Sequence, residues 1–333
     1  VSVVAVLGAG SWGTTFGKVL ADAGRQVTVW ARKADVAEEI NLHHRNQAYL
    51  PHILLPEALR ATSDLAAALA GAEQVYIAVP SQHLRSQLEQ CQSMLDDAAA
   101  VVSLMKGVEA GTGLRMSEVI QEAAGIEPER IAVVSGPNLA LEIAQNQPTA
   151  AVASSVSIQT ARLVARASTS RYFKTFTNTD VVGTEFGGVL KNLIAVAVGI
   201  ADGVGYGENT KASIITRGLA EISAFAAAFG AEPQTMSGLA GLGDLIATCE
   251  SPLSRNNTAG RMLGKGHSYS DVIRAMNQTA EGLSAVYPVL ELAASKGIAM
   301  PIVTQVGQVL AGERDPRELA PQFATDSDTP EDE

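Results

Sequence analysis

The first half of this chain alternates short apolar runs with amphipathic stretches, and the second half is built from longer apolar segments at helical spacing. Val3–Leu7, Gln26–Trp30 (QVTVW), Val75–Val79 (VYIAV, closed by Pro80), Ala100–Leu104 and Ile131–Val134 are β-rich runs. Thr14–Ala23, Leu84–Leu95 and Leu114–Ala123 fall between them with helical periodicity. Near-continuous apolar strands alternating with helices predict a parallel sheet covered on both faces. Ala150–Ser154 and Tyr172–Thr177 are two further strand candidates, and Asn46–Leu59, with Pro51 and Pro56, reads as an irregular excursion. From Asn178–Gly183 onward β-rich runs vanish. Val189–Val204, Lys211–Phe229, Ser268–Met276, Ser284–Lys296 and Ile302–Leu310 all read as helix. The expected architecture is α/β: a Rossmann-like, doubly wound parallel sheet over 1–180, then an all-α domain over 181–320. The acidic segment 321–333, ending DSDTPEDE, is expected to be a disordered tail.

The first strand runs directly into Gly8-Ala9-Gly10-Ser11-Trp12-Gly13, a G-x-G-x-x-G turn that opens a helix. In that setting Gly8 permits the tight turn and Gly10 lets the backbone approach a pyrophosphate. Gly13 lets helix and strand pack closely, while the free N–H groups of the helix start face the anion. The turn therefore predicts a dinucleotide. At the end of the second strand, where an acidic residue would bind the ribose 2′-OH of NAD, stand Arg32 and Lys33. Arg32 offers a 2′-phosphate a planar fork of donors, so NADP(H) is favoured. Asp35, two residues beyond Lys33, leaves NAD(H) open, and two solvated loop charges are the plainer alternative.

Composition narrows the partners. With 333 residues and 47% hydrophobic content the chain suits a two-domain enzyme, and its net charge of −11 without a basic run argues against nucleic acid. The two cysteines, Cys91 and Cys249, lack metal-ligand spacing and fit a reducing compartment, so neither a metal nor a disulfide is expected. No secretory signal pattern precedes Val3, and the most apolar stretch, Val189–Val204, carries Lys191, Asn192 and Asp202. It is expected to be a buried helix rather than a membrane span, and the location cytoplasmic.

Candidate chemistry lies mainly away from the five histidines, none of which sits in a triad or metal pattern. Lys191-Asn192 opens a long apolar helix, where desolvation would bring a lysine toward acid–base work; snorkelling to the surface is the alternative. Lys106-Gly107 follows a strand end, where open α/β sheets bind ligands. Ser135-Gly136-Pro137-Asn138 follows another strand. Asp244 ends the glycine-rich run 238–243, and Ser254-Arg255-Asn256-Asn257 precedes a helix expected over Thr258–Leu263, a good phosphate grip.

Taken in order, GAGSWGT, Lys106-Gly107, SGPN at 135–138, LKNLIAVAVGIADGVGYGENTKASIITRGLAE at 190–221, GLAGLGDLIATC at 238–249, SRN at 254–256 and AEG at 280–282 closely resemble the bacterial NAD(P)-dependent glycerol-3-phosphate dehydrogenases. The resemblance runs from about residue 3 to about 312. It implies reversible reduction of dihydroxyacetone phosphate to sn-glycerol 3-phosphate, the glycerophospholipid backbone, by NADPH or NADH. It also implies Lys191 as proton donor, with Lys106 and Asp244 completing the catalytic cluster. Gly136, Asn138, Asn192, Thr248, Ser254, Arg255 and Asn256 are implied at the substrate. Ser11, Trp12, Arg32, Lys33, Lys106, Ala140, Arg255 and Glu281 are implied at the dinucleotide, beside Gly8, Gly10 and Gly13. A homodimer is the family expectation. Asn138-Leu139 stands where Ser-Phe is common, and Ala280, after Thr279, where valine is usual. Two alternatives predict different residues. A 3-hydroxyacid dehydrogenase-like enzyme would leave Arg255 without an anionic partner, and a non-catalytic NADP sensor would have lost Lys191, Lys106 or Asp244.

Overall fold

The computed structural model describes residues 2–276 and 280–319; Thr279 and the acidic tail 321–333 lie outside the described residues. The chain divides into two compact units, one ending at Glu185 and the other beginning at Phe186.

The first unit runs β1 (Val3–Leu7), α1 (Ser11–Asp22), β2 (Gln26–Trp30), α2 (Ala34–His43), β3 (Leu59–Thr62), α3 (Leu65–Leu69), β4 (Gln74–Ile77), α4 (Leu84–Cys91), β5 (Ala100–Ser103), α5 (Met116–Ala124), β6 (Ile131–Ser135), α6 (Ala140–Ala144), β7 (Thr149–Ser154), α7 (Ile158–Ser168) and β8 (Phe173–Asn178). They form one eight-stranded sheet in the order β3-β2-β1-β4-β5-β6-β7-β8. The order reverses at β1, so the carboxyl ends of β1 and β4 flank the crevice where such sheets hold ligands. Every pairing is parallel except β6 with β7, where Val134 faces Ala153 in antiparallel register. That one reversal departs from the all-parallel expectation. β3 is a strand that pattern reading passed over, because four residues alternating with Arg60 and Thr62 carry little apolar signal.

Alternate residues of each strand supply two cores. Val4, Val6, Val102, Ala132 and Val134 pack under α1 and α7, while Ala5, Leu7, Val101 and Ile131 pack under α4 and α5. Phe16, fully buried on α1, contacts the rings of Trp12, Tyr76 and Phe173 at centroid distances of 5.4, 5.2 and 5.9 Å. Burial of one such ring contributes about 1.5–3 kcal/mol, which fixes α1 and its leading glycine turn on the sheet. Lys18, buried on the same helix, is paid for by Asp22 (2.7 Å), Asn146 (2.6 Å) and Tyr172 (3.2 Å).

Helix α8 (Val181–Val204) begins in the first unit. There the buried Glu185 accepts from Arg115 Nη1 at 2.6 Å, Ser117 N–H at 2.8 Å and Ser117 Oγ at 2.6 Å. Burial pushes the Glu185 carboxyl up, against the pull of the Arg115 guanidinium. The helix is long and apolar enough to cross a membrane, yet 89% of its most apolar window is buried inside the protein. The second unit adds α9 (Glu208–Ala228), α10 (Pro233–Met236), a π-helical turn over Leu239–Gly243, α11 (Asp244–Glu250), α12 (Arg255–Gly264), α13 (Tyr269–Ala275), α14 (Glu281–Ser295) and α15 (Pro301–Ala311). Phe186, Phe225 and Phe229 cluster at 4.9–5.2 Å between α8 and α9.

α8 owes its other neighbours to glycine. A Cβ at Gly187 would lie 2.5 Å from Ala240 O in the π-helical turn. At Gly199 and Gly203 it would lie 2.2 and 2.3 Å from Asn257 O and Arg261 O of α12. At Gly260 and Gly264 it would meet Val196 O and Ile200 O at 2.2 Å. The two helices therefore interlock backbone to backbone, closer than side chains allow.

Candidate active site

The glycine turn has the geometry a dinucleotide needs. Gly8 has φ +115, which L side chains rarely adopt, and a Cβ there would sit 2.6 Å from Ala78 O. A Cβ at Gly13 would lie 1.9 Å from Gly8 O, so only glycine lets α1 start this close to β1. At Gly10, by contrast, a Cβ would meet nothing within 4 Å, and Gly10 is an N-cap whose helix receives no side-chain cap. The N–H groups at Ser11 and Trp12, at a helix start with no side-chain cap, thus suit an anion. Trp12 itself is tied down by Nε1 donating to Leu104 O at 3.0 Å, and Ala140 O accepts from Thr15 Oγ1 at 3.3 Å.

Beyond β2, Arg32 and Lys33 are exposed and lead into α2, with Lys33 at its N-cap. The Asp35 carboxylate is turned onto the Val36 N–H at 2.9 Å. That bond takes up one of its oxygens; Asp35 is exposed like Arg32 and Lys33, so both the acid and the cations remain open to a coenzyme ribose.

Lys106 and Gly136, expected together at the strand ends, do meet: Lys106 Nζ donates to Gly136 O at 3.1 Å. Gly136 holds φ +136 with Ala151 3.1 Å from any Cβ, and Gly107 packs onto Ser81. Nearby in sequence, Ser135 Oγ and both amide atoms of Asn138 are buried with no hydrogen-bond partner among the described residues. Such orphaned groups are costly unless a ligand satisfies them.

In the second unit three residues converge. Lys191 Nζ donates to Asp244 Oδ1 at 2.5 Å and to Thr248 Oγ1 at 2.6 Å. Thr248, one turn after Asp244 on α11, commits its own proton to Asp244 O at 2.6 Å, so its oxygen lone pair faces the ammonium. The ion pair is almost wholly buried, with side-chain exposures of 8% and 1%. With two of its N–H bonds so directed, tetrahedral geometry fixes the direction of the third. Next to this cluster burial pushes the Cys249 thiol up to about 12, which keeps it an unreactive neighbour.

Ser254 caps α12 by accepting from Asn257 N–H at 3.2 Å. The helix begins at Arg255, three residues earlier than periodicity indicated, which brings Arg255 and Asn256 into its first turn. Asn256 Oδ1 accepts from Gly282 N–H at 3.0 Å at the start of α14, beside Glu281. That commitment points the amide's NH2 end elsewhere. Asn192 Nδ2 donates to Gly188 O in a long bond of 3.4 Å. Asn257, grouped by the sequence with the phosphate grip, is instead turned inward: its Nδ2 donates to Cys249 O at 2.9 Å and binds α12 to α11. Sequence reading missed the helical glycines; their four-residue spacing in both α8 and α12 was the available signal.

The sheet order and the uncapped, glycine-lined start of α1 define the first unit as a nucleotide-binding fold of the doubly wound class, here joined to a helical unit with a buried lysine–aspartate pair. Residues 3–161 match the model of the NAD-dependent glycerol-3-phosphate dehydrogenase N-terminus, and residues 180–321 that of its C-terminus. The chain belongs to the NAD-dependent glycerol-3-phosphate dehydrogenase family. It is 65% identical to the glycerol-3-phosphate dehydrogenase (NAD(P)+) of Leifsonia xyli, over 97% of this chain and 88% of that one. The enzyme of the same name from Streptomyces griseus is 51% identical over 98% and 97% of the two chains. The crystal structure of glycerol-3-phosphate dehydrogenase from Coxiella burnetii superposes with a TM-score of 0.91 at 36% identity, covering 97% of this chain and 99% of that one.

Proposed function

We propose that this protein reduces dihydroxyacetone phosphate reversibly to sn-glycerol 3-phosphate with NAD(P)H, favouring NADP(H). The observation that carries the reading is the buried Lys191–Asp244–Thr248 cluster in a chain that matches both halves of the family.

When bound, the reduced nicotinamide supplies a hydride to the ketone carbon. Negative charge then builds on the carbonyl oxygen, and Lys191 stabilises that charge and delivers the proton from Nζ. Asp244 holds the ammonium in place and balances its charge, while Thr248 narrows the lysine to one rotamer. In the oxidative direction the neutral amine takes the proton back. Arg255 and the start of α12 suit the phosphate dianion, with Asn256 offering its NH2 end because its oxygen is engaged by Gly282. Lys106 joins as a second cation at the substrate, with Gly136, Asn138, Asn192 and Ser254 as further contacts. The turn Gly8–Gly13, Arg32, Lys33, Ala140, Arg255 and Glu281 serve the dinucleotide. A cytoplasmic homodimer is part of the same proposal, supported on the first point by two unpaired, buried cysteines.

Purified protein should oxidise NADPH with dihydroxyacetone phosphate and not with unphosphorylated dihydroxyacetone, and Lys191→Ala should lower kcat by about 10²–10⁴. Equal turnover of the two ketones would sink the substrate assignment, and an unchanged kcat would sink the role of Lys191.

A further inference from the structure

The irregular segment after α2 is a closed loop. Leu55 N–H donates to His44 O at 2.8 Å across its base, and Tyr49 and Leu50 N–H both turn back onto Asn46 O. Leu50, Ile53 and Leu55 anchor it in the core under α1. Asn46 is completely buried, and its Nδ2 donates to Ala9 O and to Thr14 Oγ1, both at 2.9 Å. Because the Ala9 carbonyl can only accept, the atom facing it must be the NH2 end of the amide. Ser11 Oγ adds a second tie, donating to Tyr49 O at 3.2 Å.

Ala9 is the middle residue of Gly8-Ala9-Gly10, and its carbonyl shares a peptide plane with the Gly10 N–H. In a trans peptide those two groups point in opposite directions. Whatever holds Ala9 O toward the interior therefore aims Gly10 N–H away from it, at a residue where even a Cβ would meet nothing within 4 Å. Among glycines the backbone has few internal restraints, so this orientation needs an external one.

We propose that Asn46 is a positioning residue of the dinucleotide site: by holding the Ala9 carbonyl it presets the Gly10 N–H for a pyrophosphate oxygen. The proposal rests on the dinucleotide role of the turn given above. Its signature is a defect in coenzyme binding with the chemistry spared, which a merely structural role would not produce.

The test is a fluorescence titration of NADPH against wild type, Asn46→Asp and Asn46→Ser without ketone, followed by steady-state kinetics. Asn46→Asp keeps the shape but turns a carboxylate oxygen onto Ala9 O. Asn46→Ser adds no volume to the core and serves if the aspartate variant does not fold. The Kd and KM for NADPH should rise by about 10-fold or more, the cost of roughly one buried hydrogen bond. The kcat at saturating NADPH and the KM for dihydroxyacetone phosphate should stay within about 2-fold. A folded variant with wild-type NADPH affinity, or an equal fall in both substrates' affinities, overturns the proposal. Failure of the wild type to bind either NADPH or NADH would instead overturn the dinucleotide reading itself.

Discussion

Gly260→Ala tests how α12, which carries the proposed phosphate grip, is held in place. A Cβ at 260 would lie 2.2 Å from Val196 O and 2.9 Å from Gly199 Cα and Ile200 N, all backbone atoms of α8. Ordinary contact begins at 3.4 Å, so α12 must retreat by about 1.2 Å (3.4 − 2.2) or rotate. Overpacking of this kind costs about 1–3 kcal/mol, while alanine in a helix interior returns about 1 kcal/mol relative to glycine. Because the atoms met are backbone and cannot swing aside, the cost falls at the upper end of that range, a net loss of about 2 kcal/mol. Catalysis should suffer more, because Arg255 and Asn256 ride on the first turn of the same rigid helix. A misplacement near 1 Å can cost about 10²-fold. Thermal melting and kcat/KM for dihydroxyacetone phosphate at saturating NADPH give the two readouts. The expected result is a variant that melts within a few degrees of wild type and has lost about 10²-fold in kcat/KM, chiefly through KM. A folded variant within 3-fold of wild-type kcat/KM, on the order of 0.6 kcal/mol, would refute the claim that the glycine contact positions the phosphate grip.

Glu221 on α9 accepts the N–H groups of Ile302 (2.8 Å) and Val303 (3.0 Å) at the start of α15, and burial, partly offset by those bonds, pushes its carboxyl up to about 7. A raised carboxyl contributes stability that is fully present below about pH 4.5 and lost as pH rises through 7, on the order of 3 kcal/mol. Wild-type Tm should therefore decline between pH 5 and 8 more steeply than that of Glu221→Gln; parallel profiles would mean that Glu221 does not titrate there. Arg32→Ala should lower the ratio of kcat/KM for NADPH to that for NADH by about 10-fold, as expected for loss of one charge-assisted contact to the 2′-phosphate. Equal losses with both coenzymes would remove Arg32 as the reader of that group.

Much of the fold was legible because its signals are local. β1, β5 and β6 are near-continuous apolar runs, as a strand buried on both faces requires, while β2 alternates Val27 and Val29 with Gln26 and Thr28. The glycine turn was legible for the same reason: Gly8 and Gly13 answer steric demands made within a few residues. Where the signal is not local, reading stopped short. The direction of β7 beside β6 cannot be told from alternation, since inward and outward residues alternate identically in either sense. Gly199, Gly203, Gly260 and Gly264 look like weak points in two helices until the helices are seen in contact. Asn46 looked like a residue in a proline-bounded loop.

The sequence by itself determined the element types, the dinucleotide turn and, through the ordered motifs from GAGSWGT to AEG, the family. Those depend on residue identity and short-range spacing. Only the tertiary structure decided that Lys191 meets Asp244 and Thr248 across 53 and 57 positions of chain, that Asn256 gives its oxygen to Gly282, and that a buried amide from a distant loop holds the glycine turn. Each is a contact between groups far apart in sequence, and its partner is chosen by packing, which has no linear record.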